Sequence, residues 1–96
     1  MFSIRSTAEF RAWAAGLRDQ KAMARIAQRI ARMERGVLGD VKPVGGGVSE
    51  ARIDYGPGYR LYFVLRQQVV IILLCGGDKR SQDRDIAHAQ ALAKDL

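Results

Sequence analysis

The hydrophobic positions of this 96-residue chain repeat with a helical period in three stretches and with a period of two between them. Apolar residues three and four positions apart predict a first helix that ends near Leu17, a second from about Gln20 to Arg35, and a third over the tail "SQDRDIAHAQALAKDL". Strands are predicted for the short run "FSIR" and for three later runs, "VSEARIDY", "YRLYFVLR" and "VVIILLC".

These elements give the order β-α-α-β-β-β-α, which is typical of an α+β fold. We expect residues 1–96 to form one domain, a small sheet rich in antiparallel pairs with the two N-terminal helices packed on it and a C-terminal helix. The run "VVIILLC" is apolar on both faces and should therefore be a central strand covered by helices. The segment "GDVKPVGGGVSE" is predicted to be a loop because of its glycines and proline, and the helix caps are predicted at Ser6 or Thr7, at Asp19 and at Ser81.

The second helix carries both an apolar stripe and an arginine stripe. The apolar stripe, expected to be buried, consists of Met23, Ile26, Ile30, Met33 and Val37. The arginines that share a neighbouring side are Arg18, Arg25, Arg29 and Arg32. This second stripe is either a nucleic-acid-binding surface, with Arg25, Arg29 and Arg32 as RNA contacts, or a solvated helix flank.

The overall charge favours an anionic partner. The chain has 16 Lys and Arg against 10 Asp and Glu, a net charge of +6. Nucleic acid is the first candidate, although an acidic protein or an anionic membrane surface would suit the same field. The single cysteine, Cys75, suits a reducing compartment, and neither a signal peptide nor a membrane-length apolar run is present. We therefore expect a soluble cytoplasmic protein.

Several kinds of catalytic site are disfavoured by the residues available. His88 is the only histidine and has no second His or Cys nearby, so neither a metal site nor a cofactor is predicted. No Gly-x-Ser-x-Gly motif is present. Asp83 and Asp85 stand at the predicted start of the last helix, where they suit the helix dipole better than acid–base chemistry.

Cations are the remaining candidates for chemistry. Arg60 interrupts an apolar and aromatic strand, and Lys79 and Arg80 follow the end of the next strand, so the three can meet at one edge of the sheet. Lys42 could reach the same cleft from the glycine-rich segment. Such a cluster suits RNA phosphate and the charge that develops on phosphorus during cleavage. Alternatively, Arg60 simply pairs with Glu50 or Asp54 on the adjacent strand.

The segments "GPGYRLYF" and "IILLCGGDKRSQDRDIAHAQALA", preceded by "RIARMERGVLGDVKPVGGGVSEARI", resemble the RelE/ParE toxin superfamily. More narrowly, the chain is similar to the HigB-like addiction module killer proteins of bacterial type II toxin–antitoxin systems. The resemblance covers nearly the whole chain. It implies a toxin neutralised by a cognate helix-turn-helix antitoxin, with operator DNA bound only through that antitoxin and no role for a membrane.

The resemblance also implies an activity and roles for particular residues. RelE-like toxins cleave mRNA on the ribosome by attack of a 2′-hydroxyl on the adjacent phosphate. Arg60 matches the family's arginine for phosphate and transition-state contacts, Arg80 lies near the second functional arginine with Lys79 as the adjacent alternative, and Lys42 is a candidate general base. Arg84 occupies the region where relatives have a tyrosine or histidine and is a candidate RNA contact.

Two other functions fit the same resemblance. A ParE-like toxin would inhibit DNA gyrase by binding it, without nuclease residues. A basic adaptor or an inactive relative would bind only its antitoxin. Substitution of Arg60 and Arg80 distinguishes these possibilities, because only the nuclease depends on them.

Overall fold

The computed structural model describes residues 1–96 as a five-stranded sheet with helices on both faces. In chain order the elements are β1 (Ser3–Ser6), α1 (Ala8–Ala15), α2 (Gln20–Glu34), β2 (Val41–Gly45), β3 (Val48–Ile53), β4 (Tyr59–Arg66), β5 (Val70–Gly77) and α3 (Gln82–Lys94). A short 3-10 turn, Lys79–Ser81, joins β5 to α3. No helix has the length and apolar character needed to cross a membrane.

The spatial order of the strands is β1-β5-β4-β3-β2. Strands β2 to β5 form an antiparallel meander, and β1 pairs with β5 in parallel. The predicted α+β class is confirmed. The apolar strand β5 has neighbours on both sides and helices on both faces, as its composition indicates, although β4 is the middle strand.

The strand β2 was not predicted from the sequence. The segment predicted as loop contains β2, which pairs with β3 and returns through glycines with positive φ. Pro43 has no N–H to donate, and an edge strand such as β2 tolerates this because one of its sides needs no partner. The pairing with β3, and not local composition, decides that this segment is a strand.

Two apolar layers hold the helices to the sheet. On one face, α1 and α2 pack through Phe10, Ile26 and Met33 against alternate residues of β3, β4 and β5. On the other face, α3 packs through Ala89 and Ala93 against a smaller set that includes Tyr62, Val64, Leu74 and Cys75. Burying an average aliphatic side chain stabilises the fold by about 1.5–3 kcal/mol, so these layers are the main stabilising contribution.

The helix starts follow the predicted caps, with one difference. Thr7 accepts a hydrogen bond from Phe10 N, and Asp19 accepts from the backbone N–H groups of Lys21 and Ala22. Ser81 precedes α3 but makes no side-chain cap, because its hydroxyl donates to the carboxylate of Asp85.

The predicted apolar stripe of α2 is partly wrong. Met23 and Val37 are exposed, and the buried residues of the helix are Ala22, Ile26, Arg29 and Met33. Val37 lies beyond the end of α2, where the chain has already turned. The buried face of α2 therefore includes an arginine that the sequence pattern assigned to the solvent side.

Gly76 is required for the contact between α1 and β5. A Cβ at this position would collide with the indole of Trp13, which packs between the rings of Phe10 and Tyr59. We expect Gly76→Ala to destabilise the protein by about 1–3 kcal/mol through overpacking. Urea denaturation measures this loss, and in a Trp13→Ala background most of the extra cost should disappear.

Gly16→Ala is the matched control for this substitution. Gly16 has right-handed helical backbone angles, and a Cβ there would make only ordinary contacts. We expect Gly16→Ala to be neutral or to stabilise by about 0.4–1 kcal/mol. An equal loss at both positions would contradict the steric explanation for Gly76.

The buried thiol of Cys75 makes the unfolding free energy decrease at alkaline pH. Burial between β5 and α3, together with the charges of Asp85 and Glu9, raises the pKa of its thiol to about 12. The unfolded thiol ionises near pH 9, so its contribution is complete below pH 9 and is lost as the pH rises toward 12. Between pH 8 and 10.5, unfolding free energy should fall by about 2 kcal/mol more in the wild type than in Cys75→Ala. Equal pH slopes in urea denaturation would contradict this.

Candidate functional site

A polar groove lies where β3 and β4 meet the 3-10 turn after β5. It is lined by Asp40, Arg52, Ile53, Asp54, Gly58, Tyr59, Arg60 and Lys79. Arg52 and Arg60 are direct partners in the antiparallel β3–β4 register, so their side chains leave the same face of the sheet. The groove therefore brings together three cations from three elements. Arg60 and Lys79, which were expected to lie close together, both line it.

Arg60 is held by a buried carboxylate. Its Nε lies 3.5 Å from Oε2 of Glu50, and the side chains are only 11% and 0% exposed, respectively. The same oxygen accepts hydrogen bonds from Tyr62 and Gln82. Burial and the charge of Glu50 raise the pKa of Tyr62 well above its usual value, so its hydroxyl remains a donor at neutral pH. Of the two partners considered for Arg60, the structure selects Glu50.

The guanidinium of Arg60 is further fixed by the turn "GPG" that precedes β4. Its NH1 donates to Gly58 O at 2.8 Å. Gly58 has a φ of +78°, and a Cβ there would crowd NH1 of Arg60 at 3.3 Å and make an ordinary contact with Lys79. The carbonyl of Pro57 accepts a hydrogen bond from Lys79 N at 3.3 Å. This turn therefore sets the approach of Lys79 to Arg60.

Arg52 is the second arginine of the groove and is a residue that the sequence analysis did not single out. Its guanidinium donates to Oδ1 of Asp40 at 2.9 Å, and its backbone N–H donates to Asp40 O. This ion pair lowers the pKa of Asp40 and raises that of Arg52. The alternation in "VSEARIDY" could have revealed Arg52, since it lies two residues after Glu50 and so faces the same way.

Arg80 and Arg84 lie outside this groove. The side chain of Arg80 is 86% exposed and pairs with its near neighbour Asp78 at 3.4 Å. Both arginines line a neighbouring pocket formed by residues 78–84 at the start of α3, which shares Lys79 with the groove. The expectation that Arg80 joins Arg60 at one edge is therefore wrong, while Lys79, the adjacent alternative, does line the groove.

Lys42 also lies outside the groove. It is an exposed residue of β2 whose backbone is the register partner of Glu50. Lys42 therefore leaves the same face of the sheet as Glu50, from the edge strand beside β3. The role as general base stays a prediction from the resemblance.

The arginines of α2 do not form one continuous solvent face. Arg29 is buried, and its NH2 donates to Arg52 O at 2.8 Å across the gap to β3. Burial and the nearby Arg32 lower the pKa of Arg29. Arg25 lies over the ring of Tyr55 at 4.8 Å, and Arg32 is exposed. The expectation that Arg29 contacts RNA is wrong for this conformation, because its side chain supports β3 instead.

The groove has the residues for phosphate binding and no metal-binding set. No group of three or more His, Cys, Asp or Glu lies together in the structure, and His88 pairs with Glu9 on α1. Arginine forks and a lysine are well suited to the oxygens of a phosphodiester and to negative charge that develops on it. The geometry therefore describes a cationic groove on a small α+β fold.

Comparison with known proteins identifies the fold. The structure resembles the crystal structure of the toxin–antitoxin complex RelBE2 from Mycobacterium tuberculosis, with a TM-score of 0.65 and 20% identity over 81% of this chain and 98% of that chain. The likeness establishes a RelE-like fold. No protein-family profile matches the chain. An uncharacterized protein of Haemophilus influenzae is 46% identical over 93 residues, which is 97% of this chain and 94% of that protein, and the chain belongs to the same family.

The buried pair of Glu50 and Arg60 leads to a stability prediction. Glu50→Gln keeps the shape of the side chain but leaves Arg60 without a counter-charge, and we expect a loss of about 3–5 kcal/mol. The double variant Glu50→Gln/Arg60→Met removes both charges and should recover most of that loss. Urea denaturation of the wild type, Glu50→Gln, Arg60→Met and the double variant measures both effects.

The control for this cycle is the exposed pair of the same groove. Asp40→Asn breaks an ion pair whose Arg52 and Asp40 side chains are 42% and 56% exposed, and we expect a much smaller loss than at Glu50. Strictly additive losses in the double variant, or a loss at Asp40 equal to that at Glu50, would show that burial does not control the energetics of these pairs.

Proposed function

We propose that this protein is the toxin of a type II toxin–antitoxin pair and that it acts as a ribosome-dependent mRNA endonuclease of the HigB-like branch. Three features support the proposal: the RelE-like fold, the net charge of +6 and the groove lined by Arg52, Arg60 and Lys79. The single observation that carries it is the nearly buried Arg60 in the lining of that groove, whose Nε lies 3.5 Å from the buried carboxylate of Glu50.

The proposed chemistry needs no metal. The 2′-hydroxyl of one nucleotide loses its proton and attacks the adjacent phosphorus, the bond to the 5′-oxygen breaks, and that oxygen takes up a proton. The products carry a 2′,3′-cyclic phosphate and a 5′-hydroxyl. Negative charge grows on the phosphate oxygens during this step. Arg60, fixed before substrate binds, stabilises that charge without reorganisation, and Arg52 and Lys79 add hydrogen-bond donors on either side of it.

The proposed partners follow from the same surface. RelBE2 is a toxin–antitoxin complex, and we infer that this chain likewise has a cognate antitoxin, with a helix-turn-helix domain that contacts operator DNA. An acidic or apolar antitoxin segment that covers the groove would neutralise the toxin by excluding mRNA. The ribosome would supply the mRNA in the conformation that is cleaved.

The test is a cell-free bacterial translation reaction with purified protein and one defined mRNA, in which primer extension maps new 5′ ends. We expect cuts at codon-spaced positions only while ribosomes translate. Lys79→Ala and Arg52→Ala should each reduce the cleavage rate by about 10²–10³-fold, since each removes a donor to the charged phosphate.

The choice of variants follows from the structure. Arg60→Ala alone would leave Glu50 buried and unpaired, so a loss of activity could reflect unfolding. Arg60→Met is therefore tested together with Glu50→Gln. Arg5→Ala is the matched control, because Arg5 is an exposed arginine on β1, at the opposite edge of the sheet from β2 and β3.

Two outcomes contradict the proposal. An intact message in the presence of translating ribosomes would favour the gyrase-binding function, which a DNA supercoiling assay then measures directly. Unchanged cleavage by Lys79→Ala and Arg52→Ala would place the chemistry elsewhere on the molecule.

A further inference from the structure

The two arginines of the groove are paired in opposite ways. Arg60 shares its carboxylate with Tyr62 and Gln82 in the protein interior, whereas Arg52 pairs with a carboxylate that water reaches. Exposed ion pairs contribute little stability and exchange partners readily. The counterion of Arg52 can therefore be replaced by another anion, and the counterion of Arg60 cannot.

The backbone around Arg52 is fixed, so exchange involves side chains alone. Its N–H donates to Asp40 O at 2.9 Å, and its carbonyl accepts from the buried Arg29 at 2.8 Å. Asp40 follows Gly39, whose φ of +78° lets the chain pass close to the Arg29 guanidinium. The backbone of Arg52 is therefore held in place independently of the side-chain pair with Asp40.

Asp40 presents to Arg52 the same chemistry as an RNA phosphate. A carboxylate and a phosphodiester each offer two equivalent oxygens and one negative charge to a guanidinium. Of the two carboxylates that line the groove, only Asp40 forms an ion pair, since Asp54 makes none. Both aspartates therefore line the groove, and they differ in that only Asp40 contacts a cation.

We propose that Asp40 occupies on Arg52 the position that a phosphate takes when the groove binds RNA, so that Asp40 is an internal competitor that restrains RNA binding. Arg52 then becomes a phosphate-binding residue that is released by exchange, whereas Arg60 is always in place. This inference rests on the proposed function for the identity of the polyanion, but it concerns binding and does not require cleavage.

The test measures the affinity of a fluorescein-labelled 12-nucleotide single-stranded RNA by fluorescence anisotropy at one fixed salt concentration, without ribosomes. Asp40→Asn removes the competitor and should tighten binding by about threefold to fivefold, the equivalent of one exposed ion pair. Asp54→Asn removes the same charge from the same groove without freeing an arginine and should tighten binding by less than about twofold.

The same two substitutions in an Arg52→Gln background isolate the mechanism. If Asp40 acts by holding Arg52, its substitution should have no larger effect than that of Asp54 once Arg52 is absent. Asp40→Ala serves as a second variant, and thermal unfolding checks that each protein is folded. Equal effects of Asp40→Asn and Asp54→Asn, an unchanged effect of Asp40→Asn without Arg52, or no binding of this RNA by the wild type would each overturn the inference.

The outcome is separable from that of the proposed function. Absence of cleavage in the translation reaction together with an Arg52-dependent effect of Asp40 on RNA affinity would refute the endonuclease and support the exchange. Cleavage together with equal effects of the two aspartate substitutions would support the endonuclease and refute the exchange.

Discussion

The structure of the groove depends on a carboxylate that has no access to water. Glu50 on β3 is completely buried, and an ionised group in that position is tolerated only if cations and hydrogen-bond donors surround it. Arg60 and Tyr62 on β4 and Gln82 at the start of α3 supply these partners to Oε2, while Oε1 accepts no hydrogen bond. One side chain therefore connects the middle of the sheet to the C-terminal helix, and it does so beside the residues to which we assign function.

Glycines allow the neighbouring elements to come close enough to complete this arrangement. Gly58 lets the turn before β4 touch both Arg60 and Lys79, and Gly77 lies against the carboxylate of Asp85, where no Cβ would fit. Asp85 in turn accepts from Ser81, which stabilises the first turn of α3. Gly58 of "GPGYR" and Gly77 of "GGDK" are thus explained by packing beside the groove, whereas Gly76 serves the contact between Trp13 and β5.

The groove combines a fixed and an exchangeable cation. A catalytic site benefits from charge that is already in place, because no reorganisation is then needed in the transition state, and Arg60 has this property. Substrate binding benefits from a cation whose counterion can be exchanged for the substrate. Arg52, in its exposed pair with Asp40, is such a cation. A cationic surface that kept every arginine free would bind any polyanion, so a weak internal counterion also restrains non-specific association.

The sequence by itself determined the α+β class, three helices and four of the five strands, because hydrophobic periodicity is a local signal. It did not reveal β2, since "VKPVG" becomes a strand only by pairing with β3. Nor did it place Arg29 inside, exclude Arg80 from the groove or identify Arg52, because these depend on how α2, the turn after β5 and β3 pack in space. Local pattern specifies what an element is. Only the tertiary structure decides which charges it buries, which counterions it gives them and which it leaves exposed.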